Sequence, residues 1–296
     1  MKLSLRLKGY AIVSLIYLTA WLPLGINRAF GALVGRLTYY FSARNRRTAL
    51  TNLSISMPEL GERERRQLVK KHLSHMGQLA MEMGSVWLRG GDWLDKKIVS
   101  VSGAETFTAR AKDAPGLLLL VPHSGNWEVA GLYASRYVKT AAIYKAPKIP
   151  QLEPIMLRGR RLEGADVMPA TPRGVMTVFR ALDRGDLTMI LPDQEPNRDG
   201  GEFAPFFGTQ ALTMTLVPKM IQKTGCEVLI GLAKRVRGGF ELIYLEPDSR
   251  IYSGDEAEAL AGLNASVETV AKMVPEQYQW EYKRFRKRPE GEPKIY

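Results

Sequence analysis

His123 and Glu128 are the residues of this chain whose types and spacing most clearly suggest chemistry. His123 follows the apolar run 117–120, which reads as a buried strand, and Glu128 lies one helical turn further on. A carboxylate beside an imidazole can hold one ring nitrogen as N–H and leave the other free to accept a proton. The pair could then activate a hydroxyl carried by a substrate. A histidine buried for structural reasons alone is the alternative.

Further polar residues follow the later apolar runs. Lys145, Arg158 and Arg160 lie between the runs near 143 and 167, and arginine is well suited to bind phosphate or carboxylate. A solvated basic helix face would show the same spacing. Asp193 follows another apolar run and could orient Arg160 or a substrate amine, or cap a turn. If the strands are parallel, Asp193 should lie near His123, because parallel strands end at one edge of a sheet.

The elements that position these residues alternate after residue 97. Short apolar runs predict strands at 98–101, 117–121, 141–144, 166–169 and 187–191. Helical patterns separate them at 126–138, 151–163 and 174–184. A helix over 213–223, a hairpin joining 227–234 to 240–245, and a helix over 255–274 follow. This order predicts an α/β fold with a mostly parallel central sheet flanked by helices.

The first residues favour contact with a membrane. Residues 9–27 carry no charge and lie between basic residues, a length that is marginal for a bilayer span. Positive charge on both flanks fits a single span or an anchor that dips into one leaflet, and a buried core helix is the alternative. Residues 29–42 form a second apolar segment with helical spacing, in which Gly31 and Gly35 could allow close helix packing. We therefore expect an N-terminal anchor over residues 1–45 and an α/β domain over residues 46–296.

A long helix is expected between residues 57 and 93. His72 and His75 lie three residues apart within it and could both reach one metal ion, but no carboxylate or cysteine pattern accompanies them. A solvated helix face is the preferred interpretation for both histidines. No metal or cofactor is therefore expected in this chain.

The amino-acid composition limits the classes of molecule that the protein is expected to bind. The net charge of +12 suits nucleic acid, an anionic membrane or acidic proteins and ligands, and the charge-free segment near the N-terminus favours the membrane over nucleic acid. The single cysteine, Cys226, excludes an intrachain disulfide and a cysteine-based zinc site. Nucleotide-binding glycine motifs and a Gly-x-Ser-x-Gly nucleophile elbow are absent from the sequence.

Several motifs in a fixed order resemble those of one protein family. His123-x4-Glu128 is followed by Arg160 and by Leu191-Pro192-Asp193-Gln194. The segments that continue the order are Pro205-Phe206-Phe207-Gly208 with Thr213, Pro275-Glu276-Gln277-Tyr278-Gln279-Trp280, and Arg284-Phe285-x2-Arg288-Pro289. Over nearly its whole length the chain resembles the late, secondary acyltransferases of lipid A biosynthesis, the lauroyl/myristoyl type, within the lysophospholipid acyltransferase-like superfamily.

The resemblance implies a glycerolphosphate acyltransferase-like fold and transfer of a fatty acyl chain from acyl carrier protein to a hydroxyl of a lipid A precursor. His123 would be the base and Glu128 its carboxylate partner, with Arg160, Asp193, Arg158 and Lys145 binding substrate. The oxyanion donors would be Arg160 or backbone N–H groups near Gly125. Anionic lipids and the cytoplasmic side of a bacterial inner membrane are the expected setting. An acyltransferase for a lysophospholipid or another glycolipid, and a non-catalytic membrane protein, are the alternatives.

Overall fold

The computed structural model describes residues 3–296, with side chains from residue 6 onward. Met1 and Lys2, with which the predicted anchor begins, lie outside the described residues. The helices α1 to α11 are Leu3–Ala20, Leu24–Phe41, Ala43–Ser56, Glu62–Arg89, Gly91–Asp95, Ala104–Asp113, Trp127–Ser135, Glu153–Arg160, Pro172–Asp183, Leu216–Thr224 and Glu256–Met273. The strands β1 to β9 are Ile98–Ser102, Leu117–Leu120, Thr140–Tyr144, Asp166–Pro169, Leu187–Ile190, Gly201–Phe206, Thr209–Met214, Glu227–Val236 and Gly239–Leu245.

Seven of these strands form the central sheet, in the order β1-β9-β8-β2-β5-β3-β4. Neighbours from β8 to β4 are parallel, whereas β9 is antiparallel to β8, and β1 pairs parallel with β9. Strands β8 and β9 form the predicted hairpin, and each of the five predicted strands between residues 98 and 191 is present. The predicted α/β fold with a mostly parallel sheet is confirmed.

Strand β2 lies at the centre of the core because both of its faces are covered. Successive side chains of a strand point to opposite faces. Leu117 and Leu119 pack with residues of α7, and Leu118 and Leu120 pack with residues of α9 and α10. All four leucines are buried, which stabilises the fold by roughly 1.5–3 kcal/mol per side chain. This burial holds rigidly the strand that leads into His123.

The pairing of β2 with β5 sets the level at which the two strands end. Leu120 pairs with Ile190, and the N–H of Val121 donates to the carbonyl of Ile190 at 2.9 Å. His123 and Asp193 each follow their paired residue by three positions, after a proline in both loops. The register therefore brings both residues to the same edge of the sheet at the same height.

A small antiparallel hairpin differs from the sequence prediction. Strands β6 and β7 pair from Gly201 with Met214 to Phe206 with Thr209, and helix α10 begins only at Leu216. The predicted helix over 213–223 is therefore wrong at its start, since Thr213 belongs to β7. The turn lies at Phe207, whose φ of 48° is unusual for a residue other than glycine, and at Gly208.

The charge-free N-terminal segment does not form one helix. Helix α1 ends at Ala20 and helix α2 begins at Leu24, after Pro23. Within residues 3–296 no helix combines the length and the apolar character needed to cross a bilayer. The predicted transmembrane helix is not supported. Both helices and the turn between them nevertheless expose large apolar side chains, among them Leu7, Tyr10, Leu18, Trp21, Phe30, Leu33, Leu37 and Phe41.

Helix α2 packs closely on α4 through glycines. A Cβ atom at Gly35 would lie 2.0 Å from the carbonyl oxygen of Leu73, and one at Gly31 would lie 2.5 Å from that of Gly77. Gly77 in turn leaves no room opposite Gly31. The close packing anticipated for Gly31 and Gly35 is confirmed, and it attaches the N-terminal helices to the rest of the chain.

We expect Gly35→Ala to lower the free energy of unfolding by about 1–3 kcal/mol, because its methyl group must push α2 away from α4. Gly25→Ala is the matched control, since Gly25 lies on the same helix and a Cβ there meets nothing within 4 Å. Urea unfolding of both variants and the wild type measures the difference. Equal stability of Gly35→Ala and Gly25→Ala would contradict the packing described for α2 and α4.

The two histidines of α4 are not a solvated helix face, and that prediction is wrong. His72 is fully buried, and its Nε2 lies 2.5 Å from Oε2 of Glu281 in the C-terminal segment. His75 is half-buried, and burial followed by the nearby charge of Arg235 lowers its pKa to about 4. His72 therefore ties α4 to the C-terminal segment, and His75 is neutral at pH 7.

Candidate active site

His123 is held by Asp193 through two hydrogen bonds. The backbone N–H of His123 donates to Oδ2 of Asp193 at 2.9 Å, and Nδ1 of its ring lies 2.8 Å from Oδ1. Burial raises the pKa of Asp193, but the charge of His123 and these bonds outweigh it, so the pKa lies below its usual range. Asp193 is thus an ionised, buried carboxylate, and Nδ1 of His123 must donate to it.

This contact leaves Nε2 of His123 as the proton-accepting nitrogen. The amide Nε2 of Gln194 lies 3.2 Å from that atom and also donates to Oε1 of Gln279 at 2.9 Å. The imidazole remains partly exposed, with 14% of the side chain accessible, and its ring contacts Trp127 edge to face at 4.8 Å. A group that binds at Nε2 would have to displace the amide of Gln194.

Glu128 has a different partner from the one predicted. Its carboxylate accepts from Nε of Arg160 at 3.0 Å, from Nη2 of Arg160 at 2.5 Å and from Nε1 of Trp87 at 3.1 Å. Burial raises the pKa of Glu128, yet Arg160 and Trp87, with a smaller contribution from the charge of His123, lower it overall. In the described residues Nδ1 of His123 donates to Asp193 and makes no hydrogen bond with Glu128. The oxygens of Glu128 are occupied by Arg160 and Trp87, which is the physical reason for the difference.

The loop that carries His123 is locked by the C-terminal segment. The N–H of Gln279 donates to the carbonyl of His123 at 3.0 Å, and the N–H of Gly125 donates to the carbonyl of Gln277 at 3.1 Å. Gly125 has a φ of 58°, and a Cβ there would lie 2.1 Å from the carbonyl oxygen of Ala233, so only glycine fits. The loop is therefore rigid before any substrate binds.

The backbone amides beside Gly125 are already paired. Ser124 donates to the carbonyl of Pro122 at 2.6 Å, and Asn126 donates to that of Ala233 at 2.8 Å, in addition to the bond of Gly125. These three N–H groups already have acceptors and are not available to an oxyanion. The role predicted for backbone amides near Gly125 stays a prediction for the other N–H groups of this segment. The side-chain amide of Gln194, 3.2 Å from Nε2 of His123, is a donor already in place at this position.

A buried carboxylate on α4 supports the loop from behind. Glu82 is fully buried and accepts from Nε of Arg28 at 2.7 Å, from Nε of Arg235 at 2.8 Å and from Nδ2 of Asn126 at 2.8 Å. Asn126 is the N-cap of α7, since its Oδ1 accepts from the N–H of Val129. Glu82 therefore connects α2, β8 and the start of the helix that carries Glu128.

Two of the predicted site residues are not brought into this cluster. Lys145 follows β3 and Arg158 lies on α8, and both are exposed. In the described part of the chain neither makes a hydrogen bond or ion pair with His123, Asp193 or Glu128. Arg160, only two positions after Arg158, is the residue of α8 that reaches the site. Over the same residues no group of three His, Cys, Asp or Glu side chains could hold a metal ion.

Four residues belong to the site but were not predicted as site residues, namely Glu82, Trp87, Gln194 and Gln279. Gln194 and Gln279 lie inside the motifs that carry the family resemblance, so that signal was available. Glu82 lies at helical spacing from Leu79, Met83 and Val86, and so on the apolar side of α4. A carboxylate on this side of the helix is expected to be buried. A charged residue on the apolar side of a helix is the sequence signal for such a buried network.

Comparison with known proteins identifies relatives of the chain. A family model described as "Bacterial lipid A biosynthesis acyltransferase" matches residues 2–287. The lipid A biosynthesis lauroyltransferase of Escherichia coli (strain K12) is 26% identical over 96% of this chain and 93% of its own. The palmitoleoyltransferase of the same organism is 25% identical over 96% and 92%. The crystal structure of the 1-acyl-sn-glycerophosphate acyltransferase PlsC from Thermotoga maritima aligns with a TM-score of 0.37 at 18% identity, covering 82% of this chain and 97% of that one.

The family model spans nearly all of the sequence, including the strand ends that carry His123 and Asp193 and the C-terminal segment that locks them. The matched relatives are also covered over almost their full length. This chain therefore belongs to the bacterial lipid A biosynthesis acyltransferase family.

Proposed function

We propose that this protein transfers a fatty acyl chain from acyl carrier protein to a hydroxyl of a lipid A precursor. The observation that carries the proposal is the imidazole of His123, fixed at Nδ1 by ionised Asp193 and able to accept a proton at Nε2. Family membership supports an acyltransfer reaction in lipid A biosynthesis. The acyl chain length is left open by the relatives, which are named for lauroyl and palmitoleoyl groups.

In the proposed mechanism the acceptor hydroxyl takes the place of the Gln194 amide at Nε2 of His123. The imidazole removes the hydroxyl proton while the oxygen attacks the thioester carbonyl carbon. The tetrahedral intermediate then collapses, the carbon–sulfur bond breaks, and the imidazolium returns its proton to the leaving thiolate. Asp193 stabilises the imidazolium throughout, because its charge lies 2.8 Å from Nδ1.

The oxyanion of the intermediate requires donors that are already in place. We assign this role to the displaced amide of Gln194 and to the guanidinium of Arg160. Glu128 holds Arg160 by a bidentate pair and orients its free edge. Glu128 thus acts in this proposal through Arg160, rather than by setting the tautomer of His123.

The proposed partners fit the positive net charge of the protein and the exposed apolar side chains of its first two helices. Acyl carrier protein is acidic and the acceptor is a phosphorylated lipid, so a net charge of +12 favours both. The exposed apolar side chains of α1 and α2 would insert into one leaflet of the membrane, with basic residues beside them at the anionic headgroups. We propose that residues 1–45 attach the domain of residues 46–296 to the cytoplasmic face of the bacterial inner membrane.

Mass spectrometry of lipid A tests this function in cells. A strain that lacks the gene should yield lipid A short of one secondary acyl chain, and the wild-type gene should restore it whereas the His123→Ala gene should not. Unchanged lipid A together with altered phospholipids or another glycolipid would instead favour an acyltransferase for those acceptors. Unchanged lipids of every class would remove the enzymatic proposal.

We expect Arg160→Lys to lower turnover by about tenfold or more, because lysine keeps the charge but cannot make the bidentate pair with Glu128. One charge-assisted hydrogen bond is worth about 1.5–3 kcal/mol. Arg173→Lys is the control, the same change at an exposed arginine of α9. Steady-state acyl transfer by the two variants and the wild type gives the comparison, and equal rates for Arg160→Lys and the wild type would refute the role of Arg160.

A further inference from the structure

A large basic cavity lies apart from His123, between the turn that joins α1 to α2, the end of α4 with α5, and the turn of the β8–β9 hairpin. Its volume is about 800 Å³. The side chains that give it its character are Trp21, Arg89, Asp92, Lys96, Lys97 and Arg237. The proposed acyl-transfer mechanism assigns no role to this cavity.

The cavity carries a surplus of positive charge that the fold does not use. Lys96, Lys97 and Arg237 make no ion pair or side-chain hydrogen bond with the side chains described, those of residues 6–296, and Asp92 is the one carboxylate on the lining there. Arg89 lies over the rings of Trp21 and Trp93, at 5.6 and 5.8 Å from their centroids, which fixes its guanidinium at the wall. Four cations facing one carboxylate in a concave site suit a small dianion such as a phosphate monoester.

Arg28 also lines the cavity but is fully engaged in structure. Its Nε donates to Glu82, and its Nη1 and Nη2 donate to the carbonyls of Val236 and Gly239 at 2.6 and 2.8 Å. The residue therefore holds the β8–β9 turn, and with it Arg237, in place. The backbone that carries Arg237 is therefore already in position before a ligand binds.

The position of the cavity favours a lipid as the carrier of the phosphate. Trp21 is 73% exposed and lies where the apolar surface of α1 meets that of α2. Tryptophan at such a boundary is typical of the headgroup level of a membrane. The cations of the cavity thus lie beside the apolar surface, where the phosphate of an inserted lipid would be found. A concave site of this size fits a headgroup better than the convex surface of a carrier protein.

The cavity is also connected to the catalytic loop. Glu82 joins Arg28 of the cavity to Asn126, and the N–H of Asn126 donates to the carbonyl of Ala233 on β8. Arg237 follows Ala233 by four residues, at the turn that ends this strand. The cavity and the catalytic loop are therefore attached to the same end of β8.

We propose that this cavity binds a phosphate monoester on the headgroup of the acceptor lipid, while the hydroxyl to be acylated lies at His123. The identity of the lipid rests on the proposed function, whereas the phosphate site rests on the cavity itself. The cavity then selects phosphorylated acceptors and positions the headgroup, so that one hydroxyl is presented to the imidazole.

The test compares two double variants that remove the same charge. Lys96→Gln/Arg237→Gln removes two cavity cations, and Lys112→Gln/Lys223→Gln removes two exposed lysines near the opposite ends of the strands. Binding of a radiolabelled lipid A precursor to the full-length protein in detergent micelles is measured before and after the phosphates are removed by phosphatase. We expect the wild type and the control to prefer the phosphorylated lipid by about tenfold or more, and the cavity variant to lose most of that preference.

Three results would overturn the phosphate site. In the first, the cavity variant keeps the wild-type preference for the phosphorylated precursor. In the second, it loses binding to phosphatidylglycerol vesicles to the same extent as it loses binding to the precursor. In the third, it binds the precursor normally and changes only the KM for acyl carrier protein. The second result would assign the cavity to bulk anionic lipid, and the third to the acidic carrier protein. A wild type that prefers the phosphorylated lipid but transfers no acyl group would instead refute the proposed function and leave the cavity site standing.

Discussion

Replacing His123 with alanine is expected to lower the turnover of acyl transfer by about 100- to 10,000-fold, the range usual for a general base. Nε2 of His123 is the nitrogen left to accept the hydroxyl proton once Nδ1 is bound to Asp193. The carbonyl and N–H of His123, which bind Gln279 and Asp193, remain in the variant, so the loop should keep its conformation. Steady-state rates with a thioester of acyl carrier protein measure the loss.

His75→Ala is the matched control for this variant. His75 is also half-buried, but it lies on α4 and makes no contact with Asp193 or Gln194 in the described structure. Its turnover should stay close to that of the wild type. If folded His123→Ala protein, checked by circular dichroism, turned over as fast as His75→Ala, His123 would not be the base.

Asp193→Asn should have the second largest effect, a loss of at least about 100-fold in turnover, or about 2.7 kcal/mol of transition-state stabilisation. Asparagine keeps the shape of the side chain but removes the charge that stabilises the imidazolium. Its amide can also present N–H to Nδ1, which would favour the tautomer with the proton on Nε2, where no proton can be accepted. Turnover of Asp193→Asn relative to the wild type tests this expectation.

Glu128→Gln is the companion variant, because the two carboxylates have different partners. In proton NMR spectra of ¹⁵N-histidine-labelled protein, the hydrogen-bonded Nδ1 proton of His123 should persist in Glu128→Gln and disappear in Asp193→Asn. Glu128→Gln should still lower turnover, since it releases Arg160. If the proton signal instead disappeared in Glu128→Gln and persisted in Asp193→Asn, Glu128 would be the residue that binds Nδ1 of His123, and the roles described for the two carboxylates would be wrong.

The strands of the sheet could be predicted because each is short, apolar and bounded by turn residues. Leu117–Leu120 and Leu187–Ile190 are examples, and the burial of their side chains matches the pattern. The β6–β7 hairpin could not be predicted in this way. Its turn needs Phe207 at a positive φ, which sequence preferences argue against, and its residues 213 and 214 run directly into α10.

The residues of the site were easier to predict than their pairing. Glu128 is close to His123 in sequence, and this proximity suggested a direct contact. Asp193 is seventy positions away, but the register of β2 with β5 places it at Nδ1. The sequence does contain a signal for this arrangement, since Leu120-Val121-Pro122-His123 and Ile190-Leu191-Pro192-Asp193 have the same form. This signal predicts a contact only when the register of β2 with β5 is known, and that register depends on tertiary packing.

The N-terminal segment shows why apolar length alone is a weak guide. Residues 9–27 are free of charge, yet the break between Ala20 and Leu24 divides them between two helices. The close approach of α2 to α4 depends on single glycines, and Gly31-x3-Gly35 was the only sign of it. Packing partners that lie forty residues away cannot be identified from the segment itself.

One measurement tests the central claim most directly. The purified protein is mixed with acyl carrier protein that carries an isotope-labelled fatty acyl thioester and with a lipid A precursor, and the lipid products are analysed by mass spectrometry. The wild type should yield precursor that is heavier by one labelled acyl group, with one carrier thiol released per ester formed, and His123→Ala should yield almost none. A wild type that forms no ester, or a His123→Ala variant that forms as much as the wild type, would contradict acyl transfer by the imidazole that Asp193 holds.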